Sequence, residues 1–230
     1  GAGNAQPLLL TAGQAAAGDM LWAIDTAEMA TLIEDRHSLL AELPKALAER
    51  QLWVAYQPKS DIASSTICGA EALVRWHHPV RGPIAPSDFI PLLEQEQQVH
   101  EMTLYVLDTV LADLGRWTGQ GHDPNIAVNL SGTLLFDGIF IAAVMDRLHA
   151  QPELARPLTF EVTESAAIAN PQEAIAVLLR FVACGVRISI DDYGTGQSTL
   201  SYLQTFPASE IKIDQSFVRN IVASRSDQIL

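Results

Sequence analysis

Apolar and polar positions alternate most clearly at Val186, Ile188 and Ile190, a buried-strand pattern that runs straight into Asp191-Asp192 and the turn Tyr193-Gly194-Thr195-Gly196. Alternation puts Ile188 and Ile190 on one face and Asp191 on the other, and the turn brings Asp192 round beside it. Other segments follow either this period or a helical one. Leu52–Gln57 and Thr66–Val74 read as two strands with a Ser-rich turn between them, an antiparallel hairpin whose first strand ends at Pro58. Val99, Met102, Val106, Val110, Leu114 and Trp117 form a helical stripe closed by Gly119 and Gly121. Asn125–Leu130 and Pro157–Val162 read as strands, with a helical pattern from Leu134 to Leu148 between them. Asn170-Pro171-Gln172-Glu173 opens a further helix with an Asn cap, and Gly185 closes it. A short helix over Leu200–Leu203, a strand over Glu210–Asp214 and an amphipathic run through Phe217, Val218, Ile221 and Val222 complete the pattern.

The N-terminal third is plainer. Residues 1–18 are rich in Gly, Ala and Gln and read as a flexible segment. Residues 19–50 read as a helical linker, with Leu32, Ile33, Leu39, Leu40, Leu43, Leu47 and Ala48 at helical spacing and Pro44 interrupting or restarting the helix. Residues 51–230 hold the alternating strands and helices of a parallel α/β domain.

One property separates a barrel from an open sheet. Glu71, Asn129, Glu161, Asp191 and Lys212 each fall late in a successive strand. In a (β/α)8 barrel those strand ends form one ring, so the five side chains converge on a single mouth. An open doubly wound sheet spreads them along an edge, and no glycine-rich fingerprint follows the first strand.

Composition narrows the classes of function. A formal charge of −13 argues against a grip on nucleic acid polymers or anionic membranes, but leaves a phosphate substrate open where metals neutralise the site. No apolar run is long enough to insert in a membrane. Cys68 and Cys184 lie far apart in apolar runs and read as buried free thiols, which fits a reducing compartment. His77-His78 before Pro79 reads as a turn whose rings do not point at one ion.

Glu71, Asn129, Glu161 and Asp191 supply oxygen ligands only, the set that suits Mg²⁺ or Mn²⁺. Asp191 and Asp192 together reach a second ion, and paired metals stabilise in-line displacement at phosphorus. Lys212, between Ile211 and Ile213, points into the same mouth, where it either pairs with the carboxylates or positions and deprotonates an attacking water. A solvated acidic loop at Asp191-Asp192 and a structural ion pair at Lys212 are the plainer alternatives.

Several motifs in order carry a resemblance. They are Tyr56-Gln57-Pro58, Glu71-Ala72-Leu73-Val74-Arg75-Trp76-His77-His78-Pro79, Phe89-Ile90-Pro91-Leu92 and Val128-Asn129-Leu130-Ser131. Glu161-Val162-Thr163-Glu164-Ser165, Asp191 to Gly196, Ser201-Tyr202-Leu203 and Ile211-Lys212-Ile213-Asp214 continue the series. Together they resemble the EAL-domain family of cyclic di-GMP phosphodiesterases. The resemblance implies a TIM-like barrel whose first strand runs antiparallel. It implies that Glu71, Asn129, Glu161 and Asp191 hold one metal, that Asp191 and Asp192 hold the second, and that Lys212 acts on the nucleophilic water. Glu164 is implied as the anchor of the Asp191–Gly196 loop. Gln57, Leu73 and Arg75 match positions that contact the dinucleotide, Arg75 through phosphate.

The implied reaction opens cyclic di-GMP to linear pGpG with Mg²⁺ or Mn²⁺, while Ca²⁺ is expected to bind without turnover. A homodimer, an upstream GGDEF-type or sensory domain and a cytoplasmic site, which leaves room for a membrane-anchored parent, are further implications. Gln197, Thr199 and Gln215 depart from the usual motif residues without removing a metal ligand. The family's last two strands and a second-metal glutamate have no counterpart before Leu230, so weak metal binding and weak turnover are expected of these residues alone. Against the enzyme stand two other classes, a catalytically silent cyclic di-GMP receptor and a protein-interaction scaffold.

Overall fold

The computed structural model describes residues 38–194 and 205–219. Expectations for residues 1–18, most of the linker, the Thr195–Gly196 part of the loop, the Leu200–Leu203 helix and the end of the last helix lie outside these residues. A helical segment over 38–48 (α1) leads into β1 (Leu52–Asp61), β2 (Thr66–His78) and β3 (Gly82–Ile84). Then follow α2 (Pro86–Gln95), α3 (Val99–Gly119), β4 (Ile126–Leu130), α4 (Gly138–Ala150), β5 (Leu158–Thr163), α5 (Glu164–Ala169) and α6 (Pro171–Ala183). β6 (Arg187–Tyr193), β7 (Glu210–Ile213) and α7 (Gln215–Arg219) end the described chain.

Among the described residues the strands form one sheet in the order β1-β2-β4-β5-β6-β7, with β3 paired to β2. β1 and β3 run antiparallel to β2, and every other pairing is parallel. This is the α/β architecture the strand–helix alternation requires, with the antiparallel first strand that the hairpin reading gave.

Alternation sorts each strand into two faces. Val74 and Trp76 of β2, Ile126 and Val128 of β4, Phe160 and Val162 of β5, and Ile188 and Ile190 of β6 are buried against the helices. α3 buries Val99, Met102, Val106, Val110 and Leu114 on the opposing side, and Phe160 meets Phe181 of α6 edge to face at 5.1 Å. The other face of the sheet carries the polar set, and it curves inward: Lys59 on β1 and Glu210 on β7, at the two ends of the strand order, are 2.9 Å apart.

Several elements run differently from the sequence pattern. β1 continues past Pro58 to Asp61, because proline lacks only an N–H and a strand at the end of the described order loses no ladder bond there. β2 continues through Arg75-Trp76-His77-His78, a stretch expected as a loop, because β3 supplies a partner for Trp76, His77 and His78. The two histidines therefore face opposite ways, His77 exposed and His78 buried against Glu42 of α1. Pro44 lies within α1, where the burial of Leu43 and Ala46 in the core holds the segment together. Asn170 gives α6 no side-chain cap, and its amide donates to Glu173 at 2.7 Å instead. The thiols are free as expected but not buried: Cys68 is exposed at the start of β2 and Cys184 half-buried at the end of α6. Among the described residues no helix is long and apolar enough to cross a membrane.

Candidate active site

The inner face gathers its residues by register. Glu71 stands opposite Gln57 in the hairpin and level with Ala127, Asn129 is level with Glu161, and Glu161 is level with Ser189. Ser189 is in turn level with Glu210, so Asp191 and Lys212, two residues further along β6 and β7, share the same face. Asn129, Glu161, Asp191 and Lys212 sit near their strand ends, as expected. Glu71 does not; it lies mid-strand because β2 runs on to His78.

Lys212 is the hub. Its Nζ donates to Glu161 Oε2 at 2.7 Å, Asp191 Oδ2 at 2.7 Å and Glu71 Oε2 at 3.1 Å. Asn129 Nδ2 donates to the other Glu71 oxygen at 2.7 Å and fixes that carboxylate. Burial pulls the Lys212 ammonium down, but its hydrogen bonds to Asp191 and Glu161 and the charges of Glu161 and Glu71 outweigh it and hold the group above the ordinary lysine range. Burial pushes the Glu161 carboxyl above the usual carboxylate range, against the two lysines that hold it ionised. Among the described residues, no group of three His, Cys, Asp or Glu side chains is placed to hold a metal by itself. The three carboxylates are instead bonded to one ammonium. Their donor set, hard oxygens converging on one positive centre, fits Mg²⁺ or Mn²⁺ in exchange for it.

Asp192 lies at an irregularity of β6 with φ of 54°, and its backbone N–H donates to Asp191 Oδ1 at 2.9 Å. Burial, then the charges of Asp191, Asp214 and Glu71, raise its carboxyl above the ordinary aspartate range. A cation beside it relieves that repulsion. Two residues on, the Gly194 N–H donates to Oε2 of the buried Glu164 at 2.8 Å.

Leu73, Arg75, Asn129, Ser131 and Thr163 line a cavity of about 250 Å³ walled also by Ile90 of α2 and Val99, Met102 and Val106 of α3; none of the three carboxylates on Lys212 lines it. Gln57 lies outside that lining, on the inner face beside Glu71. Two participants escaped the sequence reading. Lys59 donates to Glu161 Oε1 at 2.8 Å and to Glu210 Oε1 at 2.9 Å, and Ser189 Oγ donates to Glu210 at 3.2 Å. Carrying the alternation of β1 past Pro58 would have placed Lys59 on the face of Gln57 and Glu71.

The EAL domain model matches residues 40–230. The chain is 42% identical over 194 residues to an uncharacterised signalling protein of Caulobacter vibrioides. It is 38% identical over 195 residues to the bifunctional diguanylate cyclase/cyclic di-GMP phosphodiesterase MucR of Pseudomonas aeruginosa, and 34% over 218 residues to the cyclic di-GMP phosphodiesterase PdeR of Escherichia coli. These alignments cover 84%, 84% and 95% of this chain but span only 24%, 28% and 32% of the relatives. Among solved structures, the PaMucR phosphodiesterase in complex with c-di-GMP superposes with a TM-score of 0.78 at 39% identity, covering 84% of this chain and 78% of that one. The cGMP-bound EAL enzyme Bd1971 gives 0.77 at 28% identity, covering 87% and 56%. A family match over most of the chain, with relatives above 30% identity, settles the membership: the chain belongs to the EAL-domain family.

Proposed function

We propose that this domain is a metal-dependent phosphodiesterase that opens cyclic di-GMP to linear pGpG. The observation that carries the reading is the convergence of Glu71, Glu161 and Asp191 on one cationic centre, with Asn129 locking Glu71. The relatives named as cyclic di-GMP phosphodiesterases supply the substrate. Glu71, Asn129, Glu161 and Asp191 would hold one Mg²⁺ or Mn²⁺, and Asp191 with Asp192 the second. Bound there, the metals lower the pKa of water and neutralise the phosphate.

The protein's own groups do the remainder. Arg75 beside the cavity pairs with a phosphate oxygen, Leu73 packs against the base, and Gln57 approaches from the hairpin. Lys212, beside the carboxylates, would orient the attacking water. Water oxygen bonds to phosphorus, the bond from phosphorus to the 3′ oxygen breaks, and the water's protons end on that oxygen and on solvent. Glu164 steadies the Asp191–Gly194 turn through the Gly194 N–H. A homodimer, an upstream GGDEF-type or sensory domain and a cytoplasmic setting belong to the same reading; sedimentation of the purified chain checks the first.

The test is hydrolysis of cyclic di-GMP with pGpG resolved by chromatography. Weak turnover is expected with Mg²⁺ or Mn²⁺, none after chelation, and binding without turnover in Ca²⁺. Lys212→Met is expected to lower kcat by a factor of about 100 or more. Binding of cyclic di-GMP by calorimetry with no pGpG under any metal would make the domain a receptor, and absence of binding would overturn the reading.

A further inference from the structure

Lys59 meets Glu161 from the side opposite Lys212. Its Nζ holds Glu161 Oε1 at 2.8 Å while Lys212 holds Oε2 at 2.7 Å, so each oxygen of this carboxylate has its own ammonium. The Glu161 side chain is completely buried, which leaves its orientation to these two partners. The last torsion of a glutamate is broad and roughly two-fold, so nothing intrinsic selects which oxygen faces inward. Lys59 does not bond the other two carboxylates on Lys212; its second partner is Glu210 at 2.9 Å, itself bonded by Ser189 at 3.2 Å.

We propose that Lys59 is a positioning residue that turns the Glu161 carboxylate so that the oxygen on Lys212, the centre Glu161 shares with Glu71 and Asp191, would face a bound metal. The inference rests on the metal-site reading above. It separates two ammonium groups by task. Lys212 occupies the centre and has to yield to a metal, whereas Lys59 stays on the far oxygen and keeps Glu161 aimed. The same side chain joins β1 to β7 through Glu210, and a purely structural role would consist of that tie alone.

Calorimetry with Mn²⁺ alone, paired with thermal unfolding, tells the two roles apart. Lys59→Met is expected to weaken Mn²⁺ binding about tenfold or more, the usual effect of removing a group that orients a metal ligand. Lys59→Arg is expected to recover most of that loss. Glu210→Ala cuts the tie between β1 and β7 but leaves Lys59 on Glu161. It is expected to lower the melting temperature as Lys59→Met does while weakening Mn²⁺ much less. Should Lys59→Met not fold, Lys59→Gln, which keeps an N–H donor without the charge, carries the same comparison. Wild-type Mn²⁺ affinity in the folded Lys59 variant, or equal weakening by Glu210→Ala, overturns the proposal and leaves the metal site standing. A wild-type chain that binds no Mn²⁺ overturns both.

Discussion

Gly194 shows how a single backbone position serves the site. Its φ of 101° lies where a side chain is strained, and a Cβ there would come within 2.7 Å of the Phe217 ring. Its N–H donates to Glu164 inside the protein. Gly194→Ala is therefore expected to cost at least about 1–2 kcal/mol from the positive φ alone, before the ring moves. Glu164→Ala takes away the carboxylate acceptor of the part-buried Gly194 N–H bond, a loss of about 1.5–3 kcal/mol for a hydrogen bond to a charged group. Glu164→Gln retains an acceptor oxygen and should lose less. Denaturant unfolding of the three variants checks the order. The glycine and the glutamate were legible as motif residues, but that they meet required the fold, because thirty residues of chain separate them.

At the scale of the element, Asp137 decides where a helix starts. The hydrophobic pattern from Leu134 to Leu148 reads as one helix, yet the structure breaks it into a 3₁₀ turn over Gly132–Phe136 and α4. Asp137 caps α4 by accepting from the Ile139 and Phe140 N–H groups at 2.9 and 3.1 Å. The bond from Phe140 first, then His100, holds its carboxyl below the ordinary aspartate range. A lowered carboxylate pKa means stability that is fully present above the ordinary aspartate value and lost as pH falls through the lowered one. Asp137→Ala is expected to cost about 1 kcal/mol near neutral pH, with the difference from wild type vanishing at strongly acid pH. Asp137→Asn is expected to keep the cap and lose the pH dependence. Melting temperatures across an acid series check both. Side-chain periodicity could not show this break, since an N-cap is a matter of backbone angle. The longer β1 and β2 escaped for a related reason: strand ends are set by the partner that continues the ladder, and Pro58 and Pro79 looked like stops.

Across the whole molecule, one buried layer between sheet and helices holds the inner face in place. Phe160, fully buried on β5 against Phe181, sits one residue before Glu161, which points the other way. Phe160→Ala is expected to cost about 3–5 kcal/mol, measured by denaturant unfolding, and to weaken Mn²⁺ binding together with stability. Such joint loss contrasts with Lys59→Met followed by Lys59→Arg rescue, where metal affinity moves with the partner of Glu161.

By itself the sequence determined the α/β alternation, the hairpin, the family, and five of the residues on the inner face, because strand period and motif spacing are local properties. Only the tertiary structure decided what those residues do to one another. Register and curvature bring Lys212 onto three carboxylates from three strands, and they carry Lys59 from one end of the strand order to Glu210 at the other. Those contacts depend on which strands lie side by side and how the sheet bends, and no pattern along the chain encodes that distance.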